Sequence, residues 1–152
     1  MKTKIIGCGN LSARDDDLGI RVARELQQMS LPEGVEVVEA GTPGLSLLSL
    51  LNGAERAIIV DAVLSGLEPP GTIHRFKGEH LPPKSNFPLN DHDIHWVEAL
   101  QMALMVEPEK VPGEILVFGI EIEKMATGLI GMSESAEKAI PELIRKIMEE
   151  LS

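Results

Sequence analysis

The stretch that decides the fold is KIIGCGN, residues 4–10. Its apolar start predicts a buried strand over residues 4–8 that ends at the glycines. Leu18, Val22 and Leu26 then repeat at the spacing of one helix face and predict a helix to about residue 29. A buried strand, a glycine turn and a helix, in this order, are typical of the first unit of an α/β domain.

The same alternation of apolar runs and helical segments continues along the chain. Short apolar runs bounded by glycine or proline predict further strands, and apolar residues that recur every three or four positions predict further helices. Because strands and helices alternate, the pattern indicates an α/β domain with a largely parallel sheet. The predicted strands are 35–40, 57–60, 72–76 and 114–122, and the predicted helices are 45–51, 94–105 and 133–151.

Length and charge narrow the class of protein. We expect the 152 residues to form a single domain, 1–152, because chains of this length normally fold around one core. The 24 acidic and 14 basic side chains give a net charge of -10, which argues against nucleic acid and anionic membranes as partners. No apolar run reaches the roughly 18 residues of a membrane span, and no secretion signal is recognisable. We therefore expect a cytoplasmic protein, acting as a monomer.

The glycines after the first strand are also typical of nucleotide-binding folds. The third glycine of that motif is missing here, since Ser12 stands three residues after Gly9. The following helix is entered through three aspartates, residues 15–17, which would repel a phosphate. A nucleotide-binding, flavodoxin-like domain remains an alternative that requires phosphate affinity at residues 7–10.

Two acidic positions fall where α/β domains bind ligands, outside the carboxyl ends of the strands. Asp61 follows the most apolar strand, which we predict to stop there, although an Asp at such a point also serves turns. Asp16 belongs to the run 15–17, in which helix capping explains one or two carboxylates but three adjacent charges repel one another. If the second and third strands flank the first, Asp16 and Asp61 meet at one rim of the sheet.

A histidine completes this candidate site. His92 stands at the start of a predicted helix and can point to the same rim, whereas His74 and His95 lie beside apolar stripes and are expected to be packed and hydrogen-bonded. Two carboxylates and one imidazole suit a divalent transition metal. Asp16, Asp61 and His92 are therefore candidate metal ligands.

Five blocks of the sequence, taken in order, resemble the hydrogenase maturation endopeptidases, which trim the large-subunit precursor of nickel–iron hydrogenases. The resemblance covers nearly the whole chain. The blocks are 7–10 (GCGN) with 14–16 and Gly19, 41–45 (GTPGL) with 47–48, 59–63 (IVDAV), 91–94 (DHDI) with 98–100, and 118–121 (FGIE) with 132–133.

The resemblance implies an α/β/α sandwich of the phosphorylase/hydrolase-like type, on a five-stranded twisted mixed sheet of order 2-1-3-5-4. The fourth strand, here 72–76, would be antiparallel. The resemblance also implies that Asp16, Asp61 and His92 bind nickel, because they match the family's ligand positions. Many members carry Glu where Asp16 stands, so this ligand is one methylene shorter here.

The implied activity is that of an endopeptidase that removes the C-terminal extension of a nickel–iron hydrogenase large-subunit precursor after nickel insertion. The nickel is carried by the substrate, and other divalent metals are expected to occupy the site in vitro. Asp16 and Asp61 would be the catalytic residues, and one of them would activate water as general base. Nickel would either polarise the scissile carbonyl or serve only for recognition of the nickel-loaded substrate. The alternative is a non-catalytic nickel-binding assembly module that uses the same ligands. The proline-rich stretch 68–88 is predicted to discriminate between hydrogenases.

Overall fold

The computed structural model describes residues 1–9, 17–88, 94–124, 130–131 and 134–152. The strands and α-helices in these ranges follow the predicted order closely. The strands are β1 (Thr3–Cys8), β2 (Val35–Gly41), β3 (Arg56–Val63), β4 (Ile73–Lys77), β5 (Glu114–Glu121), β6 (Glu123–Lys124) and β7 (Ile130–Gly131). The α-helices are α1 (Leu18–Gln27), α2 (Leu47–Leu51), α3 (Trp96–Val106) and α4 (Glu134–Leu151).

The main sheet has five strands in the order β2-β1-β3-β5-β4, which confirms the topology that the resemblance implies. β1 runs parallel to both β2 and β3, and β3 runs parallel to β5. β4 is antiparallel to β5 and forms one edge. Since β2 and β3 lie on opposite sides of β1, the chain leaves β1 at the point where the strand order reverses, and ligands of open α/β sheets bind there.

The core lies in two layers, one on each face of the sheet. One layer joins α1 and α4 to the sheet, and the other joins α2 and α3 to the opposite face. β1, β3 and β5 are therefore covered on both faces, which explains why they are nearly continuous apolar runs. None of the helices in the described part of the chain combines the length and apolarity that crossing a lipid bilayer would require.

Helix α1 lies unusually close to the sheet, at a contact formed by two glycines. A Cβ atom on Gly19 would lie 2.1 Å from the carbonyl oxygen of Cys8 and 2.3 Å from that of Val60. A Cβ atom on Gly7 would lie 2.2 Å from the carbonyl oxygen of Gly19. Both positions therefore require glycine for space, and this contact fixes the start of α1 against the carboxyl ends of β1 and β3.

One predicted boundary is wrong in a way that matters for the site. β3 does not stop at Asp61 but continues to Val63. β5 extends beside it, so that Asp61 pairs with Gly119 and Val63 pairs with Glu121. The backbone ladder thus carries the strand past the carboxylate, and Asp61 lies inside the sheet.

Candidate active site

Asp61 is a buried carboxylate within β3, with only 5% of its surface exposed. Its Oδ1 accepts a hydrogen bond from the Ala62 amide at 2.8 Å. Its Oδ2 accepts another from the indole Nε1 of Trp96, also at 2.8 Å. Because the Ala62 bond forms inside a strand, the interpretation of Asp61 as a turn residue is wrong. The two donors offset the high cost of burying a carboxylate among apolar residues.

The neighbours of Asp61 on the sheet place it at the predicted rim. On one side, Gly7 of β1 pairs with Val60, the residue directly before Asp61. On the other side Asp61 pairs with Gly119, which contributes no side chain. Asp61 therefore lies at the carboxyl half of the sheet, beside the reversal of strand order where the sequence predicts the ligand site.

The other two predicted ligands, Asp16 and His92, lie outside the described residues, so their meeting with Asp61 stays a prediction. Residues that are close to them in the sequence show how each segment begins or ends. Asp17 precedes α1, and its side chain makes no capping hydrogen bond. Trp96, four residues after His92 in the sequence, is the residue that bonds Asp61. Within the ranges that the structure describes, no three His, Cys, Asp or Glu side chains are grouped to hold a metal ion.

A second buried carboxylate, Glu121, ends β5 and is 1% exposed. It accepts hydrogen bonds from the Ser65 amide at 2.8 Å, the Ser65 hydroxyl at 2.6 Å and the Gly66 amide at 3.3 Å. His74 Nε2 lies 2.9 Å from the same carboxylate, and its ring stacks on Phe76. The prediction that His74 is packed and hydrogen-bonded is confirmed.

The role of Glu121 was not predicted from the sequence. The available signal was a carboxylate after a long apolar run, which is the signal that singled out Asp61. The structure shows that the two residues have different partners. Glu121 binds the loop after β3 and a residue of β4, whereas Asp61 binds the first residue of α3. Glu121 thus anchors the chain that leaves β3.

His95 caps the N-terminus of α3. Its Nδ1 accepts a hydrogen bond from the Val97 amide at 3.1 Å, and Glu98 Oε1 accepts one from the His95 amide at 3.2 Å. Burial lowers the pKa of His95 below its ordinary 6.5, and the smaller effects of the Pro88 backbone and the Glu98 charge oppose this. The predicted packing and hydrogen bonding of His95 are confirmed, and the imidazole acts as an acceptor in its neutral form.

Acidification is therefore expected to weaken the start of α3. The unfolded chain takes up the proton at a higher pH than the folded one, so the stability due to neutral His95 is complete above pH 6.5 and falls as the pH drops further. The loss should approach about 1 kcal/mol, the typical contribution of an N-cap. Urea unfolding at several pH values measures it. His95→Asn, a capping residue that does not titrate, should lose less stability on acidification, and equal pH dependence of the two proteins would contradict this role.

The chain matches known proteins over most of its length. The family model described as hydrogenase maturation protease matches residues 20–150. The protein FrxA of Pyrococcus furiosus is 37% identical over 140 residues, which are 90% of this chain and 97% of FrxA. The hydrogenase 2 maturation protease of Escherichia coli is 27% identical over 152 residues, covering 99% of this chain and 91% of that protein. The solved structure of the hydrogenase maturating endopeptidase HybD from E. coli aligns with a TM-score of 0.81 at 25% identity, over 99% and 92% of the two chains.

An α/β/α fold of this topology, with a buried carboxylate at the carboxyl rim of its sheet, is a suitable scaffold for a hydrolase. The chain belongs to the hydrogenase maturation protease family. This confirms the resemblance found in the sequence blocks and favours a protease over the nucleotide-binding alternative. The match to the family model includes Asp61 and His92 but begins after Asp16.

Proposed function

We propose that this chain is the endopeptidase that removes the C-terminal extension of a nickel–iron hydrogenase large-subunit precursor once nickel has been inserted. Membership of the hydrogenase maturation proteases supports the reaction class. The observation that carries the proposal is the buried carboxylate of Asp61 at the carboxyl rim of the sheet, which accepts hydrogen bonds from the Ala62 amide and the Trp96 indole. A carboxylate that is costly to bury is held there in a fixed orientation, as a metal ligand or a catalytic carboxylate requires.

Nickel enters this reaction as part of the substrate. Asp16, Asp61 and His92 would supply oxygen and nitrogen ligands to open coordination positions of the ion, a ligand set suited to divalent transition metals. A precursor without nickel would lack these contacts and bind poorly. The close packing of Gly19 on Cys8 and Val60 supports this assignment, because it brings the start of α1 next to the strand that carries Asp61.

The chemistry of the cut follows from the same residues. Nickel can polarise the scissile carbonyl as a Lewis acid, while Asp16 or Asp61 accepts a proton from the attacking water. The two donors on Asp61, the Ala62 amide and the Trp96 indole, suit an ionised carboxylate, which only accepts hydrogen bonds. These donors stabilise the ionised form, which is the form of Asp61 that would bind a cation.

The test is to incubate the purified protein with nickel-loaded and with nickel-free precursor and to follow the precursor mass. We expect the loaded precursor to lose its C-terminal extension and the nickel-free precursor to stay intact. Mass spectrometry of both reactions over time measures this. Loss of the extension from neither precursor would contradict the peptidase activity and leave the nickel-binding assembly module. Equal cleavage of both precursors would contradict recognition through nickel.

A further inference from the structure

The hydrogen bond between Trp96 and Asp61 connects two parts of the chain that the proposed reaction uses. Asp61 lies in β3, and Trp96 is the first residue of α3, which follows the segment containing His92. The donor and acceptor atoms are 2.8 Å apart, and both residues are buried. Because the indole bonds Oδ2 while the Ala62 amide bonds Oδ1, turning the plane of the carboxylate away from this orientation about its Cβ–Cγ bond breaks both hydrogen bonds.

Trp96 is itself held firmly in place. Its ring packs edge-on against Phe87, with ring centres 5.2 Å apart, and lies 5.6 Å from the ring of His95. The capping interactions of His95 and Glu98 fix the first turn of α3, in which Trp96 stands. The indole N–H is therefore a donor at a fixed point.

The identity of the acceptor indicates that the hydrogen bond serves the Asp61 carboxylate more than the Trp96 indole. A buried tryptophan N–H needs a hydrogen-bond partner, and a neutral backbone or side-chain oxygen would suffice. Here the acceptor is a carboxylate that is 5% exposed, and burying such a group costs far more than a neutral acceptor would. Satisfying the indole does not explain this arrangement, whereas holding the carboxylate does.

We infer that Trp96 is a positioning residue, whose indole N–H orients the Asp61 carboxylate toward the substrate's nickel. This inference rests on the proposed function, and it adds a residue whose side chain carries neither a metal ligand nor a base. Hydrogen bonds to ligating carboxylates fix their orientation, and their loss typically costs about 10–100-fold in metal affinity or activity.

The chain offers an unusually clean test, because Trp96 is its only tryptophan. Replacing tryptophan by 3-benzothienylalanine in a tryptophan auxotroph then alters position 96 alone, substituting sulfur for the N–H and keeping the size of the ring. We expect this protein and Trp96→Phe to bind Ni²⁺, used alone as the probe, about 10–100-fold more weakly than the wild type in calorimetry. Phe76→Leu is the matched control, because Phe76 belongs to the same aromatic cluster but packs on Phe87 and His74, whereas the rings against Trp96 are those of Phe87 and His95. Its Ni²⁺ affinity should stay close to that of the wild type.

The outcomes separate the inference from the function on which it rests. If Asp61→Asn weakens Ni²⁺ binding but the sulfur-substituted protein binds as tightly as the wild type, the positioning role of Trp96 is overturned and the proposed function stands. If the wild type does not bind Ni²⁺, or if Asp61→Asn binds it as tightly as the wild type, the metal-binding role of Asp61 fails, and the role of Trp96 fails with it. Weaker binding by both Trp96 proteins, with unchanged binding by Phe76→Leu, supports the inference.

Discussion

Replacing Asp61 by Asn is expected to lower kcat/KM for nickel-loaded precursor by about 10²–10⁴-fold, the range typical of a lost acid–base group. The carboxamide has one acceptor oxygen where the carboxylate has two. Its NH2 group must therefore face either the Ala62 amide or the Trp96 indole, both of which are donors. The same mismatch should lower the free energy of unfolding by about 1–3 kcal/mol. Mass spectrometry measures the cleavage, and urea unfolding shows that the variant is still folded.

Glu55→Gln is the appropriate control for this loss. It removes the carboxylate of Glu55, an exposed residue directly before β3 at the end of the strand opposite to the proposed site, where Glu55 Oε1 accepts a hydrogen bond from the Lys2 amide. Its cleavage rate and stability should stay close to those of the wild type. A folded Asp61→Asn protein that cleaves within tenfold of the wild-type rate would show that Asp61 is not part of the reaction.

Replacing Gly19 by Ala is expected to produce the largest loss of stability, at least about 3 kcal/mol. The added Cβ atom would lie 2.1 Å from the Cys8 oxygen, 2.5 Å from the Cys8 nitrogen and 2.3 Å from the Val60 oxygen. All three are backbone atoms of the sheet, so no side-chain rotation relieves the overlap. The higher helix propensity of Ala is worth only about 1 kcal/mol and does not compensate. The midpoint of urea unfolding and the yield of folded protein measure the effect.

Gly113→Ala separates this steric effect from the general effect of removing a glycine. A Cβ atom on Gly113 has nothing within 4 Å, so the substitution should change the free energy of unfolding by no more than about 0.5–1 kcal/mol. If Gly19→Ala unfolds at the wild-type urea concentration, the close contact of α1 with the sheet is not what glycine serves at this position.

The sequence predicts the elements of this fold well because their patterns are local. The apolar runs of β1, β3 and β5 and the helical repeat of Leu18, Val22 and Leu26 each lie within a few residues. The order of the strands in the sheet cannot be predicted in this way, because the periodicity of a segment does not show which strands pair. That order came from the resemblance to the family, and the structure confirms it.

The site was predicted less completely, for two physical reasons. A carboxylate after an apolar run suggests the end of a strand, but the Asp61–Gly119 and Val63–Glu121 pairs continue the ladder beyond it. Trp96 and Asp61 are 35 positions apart, and no local pattern links a donor and an acceptor at that distance. The sequence identified Asp61 as a candidate, whereas its hydrogen-bond partners needed the three-dimensional structure.

The chain between Leu64 and Asn86 leaves and rejoins the body of the protein at neighbouring points. The Leu64 amide donates to the Asn86 carbonyl at 2.7 Å, and Glu121 holds Ser65 and Gly66 at the start of this excursion. Its strand pairing within the described part of the chain is that of the edge strand β4 with β5. Because both ends of the segment are held by hydrogen bonds, we expect changes of length or sequence in its exposed turns to leave the pairing of β3 with β5, and with it the position of Asp61, unchanged.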